Sequence, residues 1–170
     1  MKREVGIWQL WGFAVTALLG TLLHFLYDWL GGAVWVAPFS GVNESTFEHM
    51  KLLFWPMLLF AAIESAFFRD RTDFWCVKLR GILGGLFLIP VLFYTYNGAV
   101  GKSPDWLNIS IFFVTAAAVY LYEARCLRRP EGRCRPALAL ALLGLLAVLF
   151  AVFTFFPPRI GLFLDPTAGA

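Results

Sequence analysis

Five apolar runs, at 7–30, 47–68, 74–96, 106–127 and 136–156, each reach the length of about 20 residues that a helix needs to cross the hydrocarbon core of a bilayer. A segment in lipid has to satisfy its own backbone hydrogen bonds, so the runs predict an all-α polytopic transmembrane bundle of five spans. None shows the period-2 alternation of a membrane barrel. A mean hydropathy of +0.73 with only 15% charged residues points the same way, away from soluble domains. With 170 residues, a single domain covering 1–170 is expected, closed by a tail at 157–170. Lys2 and Arg3 precede the first run, but it is too long for a signal-peptide core of roughly 7 to 15 residues and has no small-x-small cleavage site, so it reads as a retained anchor.

Basic residues set the expected orientation, because Lys and Arg of short loops stay on the cytoplasmic side. Eleven of the fourteen fall at alternate connections: Lys2 and Arg3; Arg69, Arg71, Lys78 and Arg80; Arg125, Arg128, Arg129, Arg133 and Arg135. The N-terminus is therefore expected inside and the C-terminus outside. Cys76, Cys126 and Cys134 fall at the same side, where a reducing cytosol favours free thiols. Trp8, Trp11 and Trp75 sit near one boundary and Trp29, Trp35 and Trp106 near the other, as an aromatic belt requires. The net charge of +3 expresses this bias and implies no nucleic-acid partner; the expected partner is the lipid bilayer, and a second copy of the chain is a further candidate.

Gly31-Gly32 ends the first span, and the connection through Ala37-Pro38-Phe39-Ser40-Gly41 is apolar enough to pack over the bundle. Pro56 and Pro90 predict kinks in spans two and three, and Gly81, Gly84 and Gly85 offer a small-residue surface for a neighbouring helix. Ser103-Pro104-Asp105 reads as the start of span four. Span five carries no chemistry, stops at Pro157-Pro158, and is followed by an apolar tail expected to lie as a flap on the outer face.

Topology then gathers polar residues at one depth on the outer side: His24 and Asp28; Asn43, Glu44, Ser45, Glu48, His49 and Lys51; Tyr94, Tyr96 and Asn97; Asp105 and Asn108; Asp165. His24 and Asp28 share a helical face, as do Ser45 and His49. His24, Asp28, Glu44 and His49 together could supply the N and O ligands of zinc, manganese or iron, with Glu44, Glu48 and Asp28 as acid–base candidates. Asn43, Ser45, Lys51, Tyr94, Tyr96, Asn97 and Asp165 are the candidate substrate contacts. Structural roles compete with these. Ser45-Thr46-Phe47-Glu48 matches the S-x-x-E capping box, Glu48 and Lys51 form an i,i+3 pair, and His24 could simply bond Asp28. Glu64 lies about 24 Å farther along its helix than Glu48 and is expected to snorkel toward Arg69 or Arg80. No nucleophile elbow, H-E-x-x-H, P-loop or dinucleotide fingerprint is present.

His24-Phe25-Leu26-Tyr27-Asp28, Val42-Asn43-Glu44-Ser45 with Glu48-His49 and Lys51, Tyr94-Thr95-Tyr96-Asn97-Gly98, and Pro157-Pro158 with Leu162-Phe163 and Asp165-Pro166 resemble the pattern of a family of small polytopic bacterial membrane proteins of unknown function. The resemblance implies a multi-pass protein of the inner (plasma) membrane and supplies no activity. Three functions stay open: a metal-dependent enzyme acting on a lipid or lipid-linked substrate, a solute or ion transporter or binding protein, and a membrane scaffold. A haem held between the two histidines is disfavoured by the adjoining carboxylates.

Overall fold

In the computed structural model, residues 2–101 and 104–165 are described, without the side chains of Lys2 and Asp105. The chain runs α1 (Lys2–Trp29), α2 (Thr46–Ser65), α3 (Phe74–Val100), α4 (Asp105–Leu127) and α5 (Pro136–Phe155), followed by a short 3-10 turn at Gly161–Phe163. All five helices are long and apolar enough to span a membrane, and no strand occurs among the described residues. Lys102, Ser103 and Pro166 lie outside the described residues.

Burial departs from that of a water-soluble bundle, both in the polar groups that lie inside and in the apolar ones that lie outside. Gln9, Thr16, Glu64, Lys78, Thr115 and Glu123 are buried, whereas Leu10, Leu18, Phe87, Val114, Leu121 and Val148 point outward. Side chains of this kind in water would be a liability; against lipid they are the solvated surface, and polar groups are driven inward to find partners. The bundle is therefore that of a multi-pass membrane protein. Its centre is α2, whose Leu53, Phe54, Met57 and Phe60 form the core with Ile82 and Leu86 of α3, Phe112 and Tyr120 of α4, and Leu143 and Phe150 of α5.

Close helix contacts follow from small residues where the sequence breaks its bulk. On α3, Gly81 meets the Glu123 side chain, and Gly85 sits between Leu53 of α2 and Val119 of α4, so a Cβ at Gly85 would come within 2.9 Å of both neighbours. Gly84, by contrast, faces open space. Pro56 deprives the Leu52 carbonyl of its helical donor. Gly20 of α1 lets the helices approach at that carbonyl, which would stand 2.9 Å from an added Cβ.

The α1–α2 connection is packed, as its apolar residues predict. Gly31 and Gly32 turn the chain with φ of 63° and 77°. Ser40 Oγ then accepts from the Tyr27 amide at 3.0 Å and donates to the Leu23 carbonyl, while the Trp55 indole donates to Pro38 O at 2.8 Å. At the opposite, basic end, Arg71 holds both carboxylate oxygens of Asp73 at 2.9 and 3.0 Å and donates to the Leu127 and Arg129 carbonyls. Asp73 also receives the Gly132 amide at 3.0 Å, which folds the α4–α5 connection onto the start of α3. There Cys76 and Cys134 are joined in a disulfide, and only Cys126 is free, in contrast to the free thiols expected from a reducing compartment. The reason is proximity: the Asp73 clamp brings together two cysteines 58 residues apart in sequence.

Candidate functional site

Ser45 starts α2. Its side chain accepts from the Glu48 amide at 3.4 Å, which is half of the capping box read from the sequence. The reciprocal half is rerouted. Glu48 reaches past the cap to accept the Val42 amide at 2.8 Å, and the Ser45 amide goes to Asn43 Oδ1 at 2.9 Å. This ties 42–48 into one rigid turn and aims Glu44 away from the helix axis, toward α1.

Two imidazoles flank that carboxylate. His24 Nε2 of α1 stands 3.6 Å from Glu44 Oε1, and His49 Nε2 of α2 stands 3.7 Å from Glu44 Oε2. The rings are 5.8 Å apart between centroids. Glu44 is half exposed and both histidines are partly buried, so the cluster meets solvent from one side. His49 Nδ1 lies 3.0 Å from the Ser45 carbonyl, a contact that requires a proton on Nδ1. In the neutral ring, the Nε2 lone pair then faces the carboxylate. Such a pairing is attractive only when Nε2 also carries a proton or a cation sits between the two groups. Ligand atoms on a tetrahedral zinc stand about 3.3 to 3.4 Å apart, given metal–ligand bonds of about 2.0 to 2.1 Å. The observed separations are a few tenths of an ångström longer, and no group of three His, Cys, Asp or Glu among the described residues is arranged as a metal site. Glu44 would have to turn for His24, Glu44 and His49 to close on one ion.

The remaining predicted residues divide. Asp28 is exposed at the end of α1 and, among the described residues, does not join the contacts of His24, Glu44 and His49. Glu48 and Lys51 are paired at 2.7 Å and buried, with Lys51 Nζ also donating to Ala37 O at 2.8 Å and Thr154 Oγ1 at 3.0 Å. They fasten the loop and α5 to α2. Asp165 receives the Glu44 amide at 3.4 Å, and the tail turn places Phe163 on Phe47 with ring centroids 4.5 Å apart. The tail therefore caps the start of α2 as a flap. Tyr94 Oη approaches Gly161 of that tail, Tyr96 is part-buried on α3, and Asn97 Nδ2 donates to Phe93 O at 2.8 Å. The Asp105 side chain lies outside the described residues.

Beside the cluster, a small, shallow cleft opens between α2, α3 and α4, lined by Thr46, His49, Ile89, Phe93, Asn108, Ile111 and Phe112. The exposed area of its walls is mostly apolar, and His49 is one of the residues that line it.

A second polar centre, near the basic end, was not expected. Lys78 Nζ of α3 is 2.5 Å from carboxylate oxygens of both Glu64 on α2 and Glu123 on α4, and Gln9 of α1 donates to Glu64. Glu64 thus does not snorkel to Arg69 or Arg80, and Lys78 is not a loop charge: partners inside the bundle remove the need for either to reach water. The only hint in the sequence was the occurrence of Glu64, Lys78 and Glu123 each within one or two turns of a helix end.

Neither the curated proteins nor the solved structures include a match to this chain. A family model does match, over residues 1–170, and by it the chain belongs to DUF6512, a family of unknown function.

Proposed function

We propose that this membrane protein acts on a lipid or lipid-linked substrate whose apolar chain lies in the cleft and whose headgroup meets His24, Glu44 and His49 on the extracytoplasmic side. The observation that supports this most directly is the double placement of His49, which lines the apolar cleft and also directs its Nε2 toward the Glu44 carboxylate. An apolar slot continuous with a charged, partly solvated corner matches an amphiphile better than it matches a free ion or a soluble metabolite.

In this reading Glu44 is the acid–base group, being the carboxylate that faces both imidazoles and solvent. Closure of His24, Glu44 and His49 on a divalent ion, zinc, manganese or iron, would satisfy the Nε2 lone pairs and place a Lewis acid at the headgroup. The Ser45 carbonyl on His49 Nδ1 is the outer partner that fixes the ring for such a role. Elemental analysis of the protein purified without chelator tests this. A stoichiometric transition metal that is lost in both His24→Ala and His49→Ala supports the metal-dependent reading; absence of metal from the parent, or unchanged content in the variants, contradicts it.

A further inference from the structure

We propose that Gln9, Glu64, Lys78 and Glu123 form a proton-binding site inside the membrane, in which Glu64 and Glu123 share one exchangeable proton. Four helices contribute to it, and Glu64, Lys78 and Glu123 are each no more than 2% exposed. Charge decides the argument. Two carboxylates meet one ammonium, which leaves the fully ionised cluster with an uncompensated negative charge in a low-dielectric interior. An unpaired buried charge of that kind is relieved by taking up a proton.

Among the described residues, no other charge neutralises it. From α1 come Gln9 and Thr16, neither of which ionises, and Thr16 is engaged with the Tyr120 hydroxyl at 2.7 Å. From α4, Tyr120 presents its ring to Lys78, with 5.6 Å between Nζ and the centroid, and on α3 Phe74 does the same at 5.5 Å. Arg80 is exposed and donates to the Cys76 carbonyl. Arg128 is exposed and lies against Gly6, one turn from Gln9 toward the basic end. α5 carries no ionisable residue.

Two further observations point to a proton in particular. Among the described residues, Gln9 Oε1 and Glu123 Oε1 are buried without a hydrogen-bond partner, so the cluster has acceptors in excess of donors, a deficit that one added O–H reduces. Glu123 Oε1 also packs directly on Gly81, where an added Cβ would stand 2.5 Å away, which leaves no room for a hydrated ion at that oxygen. The cluster lies within about two turns of the helix ends, roughly 10 Å by helical rise, so exchange with water at the basic end is short-range.

Infrared spectroscopy of the full-length protein in lipid bilayers at neutral pH reads this out. The wild type is expected to show a protonated-carboxyl C=O band that shifts on exchange into D2O. Glu64→Gln and Glu123→Gln should each remove it, because either change leaves one carboxylate matched to Lys78 and no reason to hold a proton. Lys78→Met should enlarge it about twofold, since both carboxyls must then be neutral. Absence of the band from the wild type, or its persistence in either glutamine variant, overturns the proposal. The two glutamine variants are isosteric with a protonated carboxyl and are expected to fold, so the conclusion does not depend on the Lys78 variant.

Discussion

Glu44 and Glu48 are four residues apart, carry the same charge and do different work, because one is half exposed between imidazoles and the other is sealed against Lys51. Substitution separates them. Glu44→Gln should leave the unfolding midpoint in detergent within about 0.5 kcal/mol of the parent, as expected for an exposed position. Glu48→Gln removes the charge partner of a fully buried ammonium and should cost about 3 to 5 kcal/mol. Thermal unfolding monitored by circular dichroism measures both. A Glu44→Gln variant as damaged as Glu48→Gln would assign the cluster to architecture, in line with a scaffold. The sequence contained the Asn-Glu-Ser turn and its cap, but it could not tell which carboxylate would be buried. That choice depends on Ala37 and Thr154, which reach Lys51 from a loop and from α5.

Among the helices, α3 carries the sharpest contrast, since Gly81 and Gly85 are pressed against neighbours and Gly84 is not. Gly85→Leu should displace α3 from α2 and α4 and destabilise by about 1 to 3 kcal/mol or more, whereas Gly84→Ala should be neutral or stabilising by up to about 1 kcal/mol through helix propensity. Unfolding of the two variants side by side checks the packing. The presence of five long helices was legible from hydropathy because each span must be apolar along its length, whereas their ends were not: α1 starts at Lys2 and α3 runs to Val100. The inward face was not, because in lipid both faces of a helix are apolar and periodicity loses its meaning. For that reason the sequence pattern groups Lys78 with the loop charges and lets Glu64 snorkel, whereas the two meet Glu123 within the bundle.

On the scale of the whole molecule, the two ends differ: one is clamped by Arg71, Asp73 and the Cys76–Cys134 link, and the other carries the His24–Glu44–His49 corner, the cleft and the flap. The distribution of Lys and Arg leads one to expect the first end at the cytoplasm, an expectation against which the Cys76–Cys134 disulfide found there runs. Impermeant thiol labelling of a cysteine-free background resolves the orientation. Gly98→Cys should react in intact cells and Arg129→Cys only after the membrane is opened; the reverse pattern would turn the molecule over and place the cluster inside. The account as a whole turns on the cleft and the cluster being one amphiphile site joined at His49. Native mass spectrometry of the protein released from its own membrane tests this most directly. Wild type should retain a lipid or lipid-linked molecule one to one, and both His49→Ala and Asn108→Trp, which adds bulk to the cleft lining, should lose it; a wild type that sheds all lipid, or variants that hold it equally well, would contradict the account.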